Sequence, residues 1–160
     1  MRKAFILFLF FGLVLCSCIS SPDKKTTLSS SQKPEKKFHS TSLIEASADG
    51  SLQEVIDAIE KGADVDSATK DSRGVTALMK AAEAGHFDVV RHLVEKGAEV
   101  NCLSKKGYTA LMFAAREGDV EVISYLIDNG AEKDIEGSGG ATASKWSKNS
   151  EVLEIIEKGE

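Results

Sequence analysis

Cysteine, proline and tryptophan are scarce in this chain of 160 residues, which contains three, two and one of them respectively. Cys16 and Cys18 lie near the N-terminus, so Cys102 is the only cysteine in the rest of the sequence. A lone cysteine forms neither an intramolecular disulfide framework nor a zinc cluster. We therefore expect no metal ion and no other cofactor.

The sequence also lacks a long apolar run at its N-terminus, because the run found there extends only from Ala4 to Leu15. A helix that spans a membrane needs about 20 apolar residues. Two basic residues precede this run, and small residues follow it from Ser17 onwards. A basic start, a short apolar core and small residues after it are typical of a secretory signal peptide. The sequence predicts such a peptide over residues 1–18.

The four residues from Leu15 to Cys18 resemble a bacterial lipobox, with leucine at −3, a small residue at −1 and then cysteine. The resemblance implies that Cys18 becomes the lipidated first residue of the mature protein. The protein would then be exported and anchored to a bacterial membrane, on its periplasmic side or at the cell surface. Cys16 is the poorer candidate because the large Leu15 precedes it. A cleaved signal without lipid and an uncleaved anchor remain as alternatives.

Residues 19–38 form a polar and basic segment, with five lysines against one aspartate and one glutamate. Both prolines of the chain also lie in this segment. Such a composition buries little apolar surface and predicts a disordered tether. Residues 39–160 are acidic by contrast, with 13 Lys or Arg against 23 Asp or Glu. We expect no binding of nucleic acid by this part, because phosphate recognition requires a positive surface.

Two stretches of the acidic part repeat each other at an offset of 33 residues: Gly74–Gly97 reads GVTALMKAAEAGHFDVVRHLVEKG and Gly107–Gly130 reads GYTALMFAAREGDVEVISYLIDNG. Each copy contains an alanine-rich run that predicts a short first helix. A second run with helical apolar spacing, Phe87–Val94 in the first copy, predicts an amphipathic second helix. Such a pair cannot bury its own apolar face without neighbours. In period and in sequence, these repeats resemble the ankyrin-repeat family.

The resemblance implies an all-α fold: an ankyrin-repeat solenoid of about four stacked helix-turn-helix units, with two full internal repeats between two caps. The domain is predicted to cover residues 39–160, in units of residues 39–73, 74–106, 107–139 and 140–160. Trp146 is predicted to fill the core of the C-terminal cap, because it is a large apolar group at a helical position. Both internal repeats read Thr-Ala-Leu-Met where the family usually has Thr-Pro-Leu-His. The hydrogen bonds of that histidine are therefore missing.

The sequence shows no set of side chains for covalent catalysis. A nucleophile needs a base and an orienting third group, and the histidines do not provide them. His86 is predicted to cap a helix, His92 to lie on a solvated helix face, and His39 to belong to the first cap. Cys102 is predicted to be a small filler in a loop. We therefore do not expect the protein to be an enzyme.

The ankyrin resemblance instead implies recognition of a protein partner through a concave surface of loop tips and first helices. Its variable contact positions correspond here to Arg73, Val75, Lys80, Glu83, Lys105, Lys106, Tyr108, Phe113, Arg116 and Glu117. Tyr108 and Phe113 place aromatics where the core does not require them, and aromatics dominate binding energy at interfaces. The alternative is that Phe113 packs between first helices and Tyr108 shields the loop. The basic residues predict a positive rim that would suit an acidic, partly apolar partner.

These observations predict a monomeric, non-catalytic binding module of the bacterial envelope. Three alternatives remain open: an inhibitor or protector of one envelope enzyme, a secreted effector that acts on host proteins without a lipid, and a structural spacer. Substitution of Cys18 distinguishes an anchored protein from a released one. Replacement of Tyr108 and Phe113 together distinguishes a binder from a spacer.

Overall fold

The structure, a computed structural model, describes residues 40–158. Within that range the backbone forms eight α-helices in four consecutive pairs. The pairs are α1 (Ser40–Asp49) with α2 (Leu52–Glu60), α3 (Ala77–Ala84) with α4 (Phe87–Glu95), α5 (Ala110–Glu117) with α6 (Val120–Asp128), and α7 (Ala143–Trp146) with α8 (Ser150–Lys158). The same residues contain no β-strand, only two isolated bridges in loops. The predicted all-α solenoid of helix-turn-helix units is thereby confirmed.

The first helices of the two internal repeats begin and end at residues that local chemistry favours. Thr76 and Thr109 are the N-caps of α3 and α5, and their hydroxyls accept hydrogen bonds of 3.4 and 3.3 Å from the backbone N–H three residues later. Each bond satisfies a donor that the first turn leaves unpaired. Gly85 and Gly118 end these helices with φ of +72° and +88°. A Cβ is penalised in that left-handed conformation, so the repeated glycines set the helix ends.

The helices stack in two rows. The first helices α1, α3, α5 and α7 contact one another in order, and the second helices α2, α4, α6 and α8 form the other row. Fully buried alanines on the first helices allow a close approach: Ala81, Ala82, Ala114 and Ala115. The largest buried side chains include Leu78, Leu93, Leu111, Ile123 and Leu126. Each contributes about 1.5–3 kcal/mol through burial, so each helix pair depends on the pair beside it.

Polar side chains connect the loops of successive units. The backbone N–H of Glu99 donates to the Asp66 carboxylate at 2.8 Å. Asn101 makes a similar connection one unit further along: its Nδ2 donates to the Gly130 carbonyl at 3.0 Å, and its Oδ1 accepts from the Glu132 N–H at 2.9 Å. These bonds hold neighbouring loops in register, which also aligns the first helices that follow them.

The predictions for the N-terminus lie outside the described residues. They concern the signal peptide over residues 1–18, the linker over residues 19–38 and the lipidation of Cys18. Among residues 40–158, no helix is long and apolar enough to cross a membrane.

Candidate partner-binding pocket

A cavity of about 180 Å³ lies between α3, α5 and α7, next to the loops that precede α3 and α5. Its lining combines three aromatic residues (Tyr108, Phe113, Trp146), three basic residues (Arg73, Lys106, Arg116), one carboxylate (Glu83), and Val75 and Ser104. These nine residues define the inter-repeat pocket. Sites for small molecules usually enclose about 300–1,000 Å³. The inter-repeat pocket is smaller than this range.

Three aromatic rings form one side of the inter-repeat pocket. Tyr108 and Trp146 are closest, with 4.5 Å between ring centroids and 55° between ring planes. Phe113 stands edge-on to both, with its centroid 5.9 Å from that of Trp146 and 6.3 Å from that of Tyr108. Edge-to-face pairs are a preferred geometry for aromatic rings. Phe113 is buried, whereas Tyr108 and Trp146 are half-buried, so the latter two leave part of their ring surface exposed.

Arg116 is held in one orientation by two carboxylates and two rings. Its Nη2 donates to Glu83 Oε1 at 2.7 Å, and its Nε donates to Glu117 Oε1 at 2.9 Å. Its Cζ lies 5.4 Å from the ring centroid of Phe113 and 5.5 Å from that of Trp146, within the range of a cation–π interaction. The guanidinium is therefore held in place by contacts within the chain.

The charges next to Arg116 stabilise one another. Glu83 accepts a hydrogen bond from Lys80 Nζ as well as from Arg116. Partial burial opposes ionisation of Glu83, but these two hydrogen bonds outweigh it and lower the pKa of the carboxyl below its usual value. Burial likewise disfavours the charged form of Arg116, yet hydrogen bonds to Glu117 and Glu83 raise its pKa. Both groups are charged at neutral pH.

A turn around Asp71 holds Arg73, one of the basic residues of the pocket lining. Its Oδ1 accepts from the Thr69 hydroxyl at 2.6 Å and from the backbone N–H groups of Arg73 and Gly74 at 3.0 Å each, while its Oδ2 accepts from Arg73 Nε at 3.1 Å. These bonds, led by the one from Thr69, hold the pKa of the Asp71 carboxyl well below its usual range. Lys105 Nζ donates to the backbone carbonyl of Asp71. Arg73 is thus paired, and Lys105 lies against this turn.

The structure places seven of the ten predicted contact residues in the lining of the inter-repeat pocket: Arg73, Val75, Glu83, Lys106, Tyr108, Phe113 and Arg116. Lys80 and Glu117 lie outside the lining and connect to it through their ion pairs with Glu83 and Arg116. Lys105 also lies outside the lining. The pocket therefore draws on both internal repeats and, through Trp146, on the last unit.

Two of these residues have little free surface. Val75 is 3% exposed and Phe113 is 7% exposed. The expectation that position 113 carries an aromatic that the core does not require is wrong, because Phe113, on α5, belongs to the buried core and packs against Trp146 of the next unit. The alternative, in which Phe113 packs between first helices, describes it correctly.

Trp146 and Ser104 belong to the pocket although the sequence did not assign them to it. Trp146 is half-buried rather than a fully enclosed plug of the last unit. It follows Phe113 by 33 residues, so the repeat period places the two at equivalent positions of adjacent units, and this signal could have identified it. Ser104 is buried, and its Oγ accepts from the Tyr108 N–H at 3.0 Å. It therefore helps to hold Tyr108 in place.

The two described histidines lie elsewhere and differ from their predicted roles. His86 stands at the N-cap of α4 without a side-chain capping bond, and its Nε2 lies 3.1 Å from the Ala48 carbonyl oxygen of the preceding unit. His92 is half-buried rather than solvated, and its Nε2 has no hydrogen-bond partner among the described residues.

Burial raises the pKa of the Cys102 thiol, which disfavours a reactive thiolate. Across residues 40–158, no three His, Cys, Asp or Glu side chains are grouped to hold a metal ion.

The helix pairs and the pocket between them define a class: a solenoid repeat protein with a preformed surface across adjacent units. A family model described as ankyrin repeats, in three copies, matches residues 26–152. The chain belongs to the ankyrin-repeat family. Ankyrin repeats are protein–protein interaction modules and are generally non-catalytic.

Curated relatives match this chain over short segments. The ankyrin repeat and KH domain-containing protein mask-1 of Caenorhabditis elegans is 48% identical over 67 residues, which is 42% of this chain and 2% of that protein. Human ankyrin repeat domain-containing protein 29 is 57% identical over 37 residues, or 23% of this chain and 12% of the relative. The human histone-lysine N-methyltransferase EHMT1 is 34% identical over 76 residues, or 47% of this chain and 6% of that enzyme, within its ankyrin repeats. The chain thus covers only a small part of each.

Proposed function

We propose that this protein is an exported, lipid-anchored binding module that captures one protein partner in the inter-repeat pocket. The observation that carries the proposal is the ordered state of Arg116, held by Glu83, Glu117 and the rings of Phe113 and Trp146. Groups that are already ordered lose little conformational entropy when a partner binds. Such a site therefore favours rigid-surface recognition.

The residue types of the pocket support the same function. Tryptophan, tyrosine and arginine are the residues most often found where binding energy concentrates, and they act best in pockets that exclude water. Tyr108, Trp146 and Arg116 line one pocket here. Tyr108 and Trp146 keep ring surface free for a partner because both are only half-buried.

Photo-crosslinking in cells tests this proposal. A benzophenone amino acid is placed at Tyr108, and in a matched control at Tyr125, the other tyrosine of the chain, which lies on second helix α6 against Phe87. We expect one discrete adduct from position 108 that is absent from position 125. The adduct should disappear when Arg116 is replaced by glutamine. The absence of an adduct at position 108, with abundant and helical protein, would exclude the pocket as a binding site in those cells.

Anchoring through Cys18 forms a separate part of the proposal, because it depends on residues outside the described range. The lipobox-like sequence before Cys18 and the basic, proline-containing segment of residues 19–38 support a lipid anchor followed by a tether. In membrane fractionation, Cys18→Ser should release the protein from membranes, whereas Cys16→Ser should not. If both variants stay with the membranes, lipidation of Cys18 is contradicted. A protein found free in the medium would favour the alternative of a secreted effector.

A further inference from the structure

We propose that the partner segment taken by the inter-repeat pocket is acidic, with a carboxylate between Lys106 and Arg116 and a neighbouring apolar side chain on Tyr108 and Trp146. This inference rests on the proposed function, since it names the chemistry of the partner at the same site. The occupant is a protein segment, because the cavity of about 180 Å³ admits individual side chains.

The charge of the pocket opposes that of the part of the chain around it. Residues 39–160 carry 23 Asp or Glu against 13 Lys or Arg, yet three basic residues and one acidic residue line the pocket. Complementary potentials steer partners towards an interface and suppress wrong ones. A basic segment would be repelled here.

Lys106 is the basic lining residue that is left without an ionic partner. Arg73 is paired with Asp71 and Arg116 with Glu83 and Glu117, whereas no ion pair involves Lys106 within residues 40–158. Its side chain is exposed at the mouth of the pocket. A carboxylate that approaches there meets an ammonium group that no internal carboxylate neutralises.

Arg116 provides further donors for the same carboxylate. A guanidinium has five N–H donors in a fixed plane, and the hydrogen bonds to Glu83 and Glu117 use two of them. About a third of the side chain is exposed. The remaining N–H groups have no hydrogen-bond acceptor in the part of the chain that the structure describes. Two kinds of donor, a compact ammonium on Lys106 and a planar guanidinium on Arg116, therefore line the same pocket.

The aromatic side of the pocket determines what accompanies the carboxylate. The rings of Tyr108 and Trp146 lie 4.5 Å apart and are both half-buried. Their free ring surface is apolar and lies beside the basic residues in the same lining. The cation at Arg116 already lies against Trp146 at 5.5 Å, which disfavours a second cation on that ring. An aliphatic or aromatic side chain next to the carboxylate fits this surface best.

Selection from a displayed library of random peptides tests the inference with the full chain, held in detergent micelles. Wild type, Lys106→Glu and Lys96→Glu are compared; Lys96 is an equally charged, exposed residue at the end of α4, outside the pocket. Wild type and Lys96→Glu should select peptides in which Asp or Glu adjoins a large apolar residue. Lys106→Glu should lose the preference for acidic residues. Circular dichroism confirms that all three are folded.

Trp146, the only tryptophan of the chain, reports binding of a selected peptide by fluorescence. The Kd should rise about tenfold for Lys106→Glu, which removes an ion pair and adds a repulsion of similar size. Added salt should weaken wild-type binding more than binding by Lys106→Glu, because in the variant salt also screens the added repulsion. A tighter or unchanged Kd for Lys106→Glu would overturn the inference.

The outcomes separate this inference from the proposed function. Neutral or basic peptides, no selected peptides, or the same peptides from wild type and Lys106→Glu would each contradict an acidic partner. If the adduct at position 108 still forms in cells, the pocket remains a binding site and only its chemistry is wrong. If the adduct is absent as well, both the proposed function and this inference fail.

Discussion

Replacement of Trp146 by alanine should loosen the C-terminal unit while the remaining units stay folded. Trp146 is the last residue of α7, a helix of four residues. A helix this short has little stability of its own. The ring joins α7 to Tyr108, Phe113 and Arg116. Its removal therefore takes away the aromatic contacts that connect the last unit to the third.

The magnitude follows from those contacts. Each aromatic pair contributes about 0.5–1.5 kcal/mol beyond its buried area, and the cation–π contact with Arg116 contributes about 0.5–1 kcal/mol at a partly exposed site. Partial burial of the ring adds about 1 kcal/mol. For two aromatic pairs these contributions add up to about 2.5–5 kcal/mol, which is the expected fall in the free energy of unfolding. Small domains have only about 5–15 kcal/mol in total, so the change should be readily measured.

Urea denaturation followed by circular dichroism measures this loss, and native-state hydrogen exchange locates it. Because α8 packs against α6 and α7, its amides should lose protection together with those of α7. Amides of α1 to α4 should keep theirs, since stability in repeat proteins depends on nearest neighbours. Trp146→Phe keeps a ring at this position and should cost clearly less. A loss below about 1 kcal/mol for Trp146→Ala, or an equal loss of protection in all helices, would refute the reasoning.

Three further perturbations test the fold and the charges of the pocket. Gly107→Ala should destabilise the protein more than Gly118→Ala in thermal unfolding. Both glycines have a positive φ, but only a Cβ at position 107 would meet backbone, 3.2 Å from Gly137 Cα. Equal losses of stability would contradict this. Thr109→Ala should lower the unfolding free energy by about 0.5–2 kcal/mol through loss of the N-cap of α5, whereas Thr109→Ser should retain most of it; no difference between the two would exclude the capping role. Glu83 has a lowered pKa in the folded state, so its contribution to stability is present above the ordinary pKa of about 4.3 and is lost as the pH falls through the lower folded value. Glu83→Gln should therefore unfold with a weaker dependence on acidic pH than wild type, and identical pH profiles would contradict the role of its ion pairs.

The helix pairs could be predicted because their signals are local or periodic. Helix α5 begins after Thr109 and ends before Gly118. The side chain of the first residue and the backbone of the second set these ends. The 33-residue offset then predicts a neighbour of the same kind, and the apolar spacing predicts which face it covers. The end units could be predicted for the same reason.

The single side chains were harder to predict. His86 was expected to cap α4, yet its ring lies by the Ala48 carbonyl of the preceding unit. The side chain is long enough to reach that unit, so it need not bind the backbone at the start of its own helix. Phe113 was expected to stand free and is buried, because an aromatic residue, Trp146, occupies the equivalent position of the next unit. Asp71 was not singled out at all, although its turn holds Arg73.

The sequence by itself determined the helix pairs, their order and the residue types that face the first helices of neighbouring units, because these depend on local propensity and on a period of 33 residues. Only the tertiary structure decided which of those residues meet. Glu83 and Arg116 occupy equivalent positions in successive units and form an ion pair, as Phe113 and Trp146 form a ring contact. The physical reason is that stacking brings equivalent positions side by side, whereas the side-chain conformations that join them depend on packing and charge across the units. The period therefore predicts the neighbours, and the pocket follows from how their side chains pack.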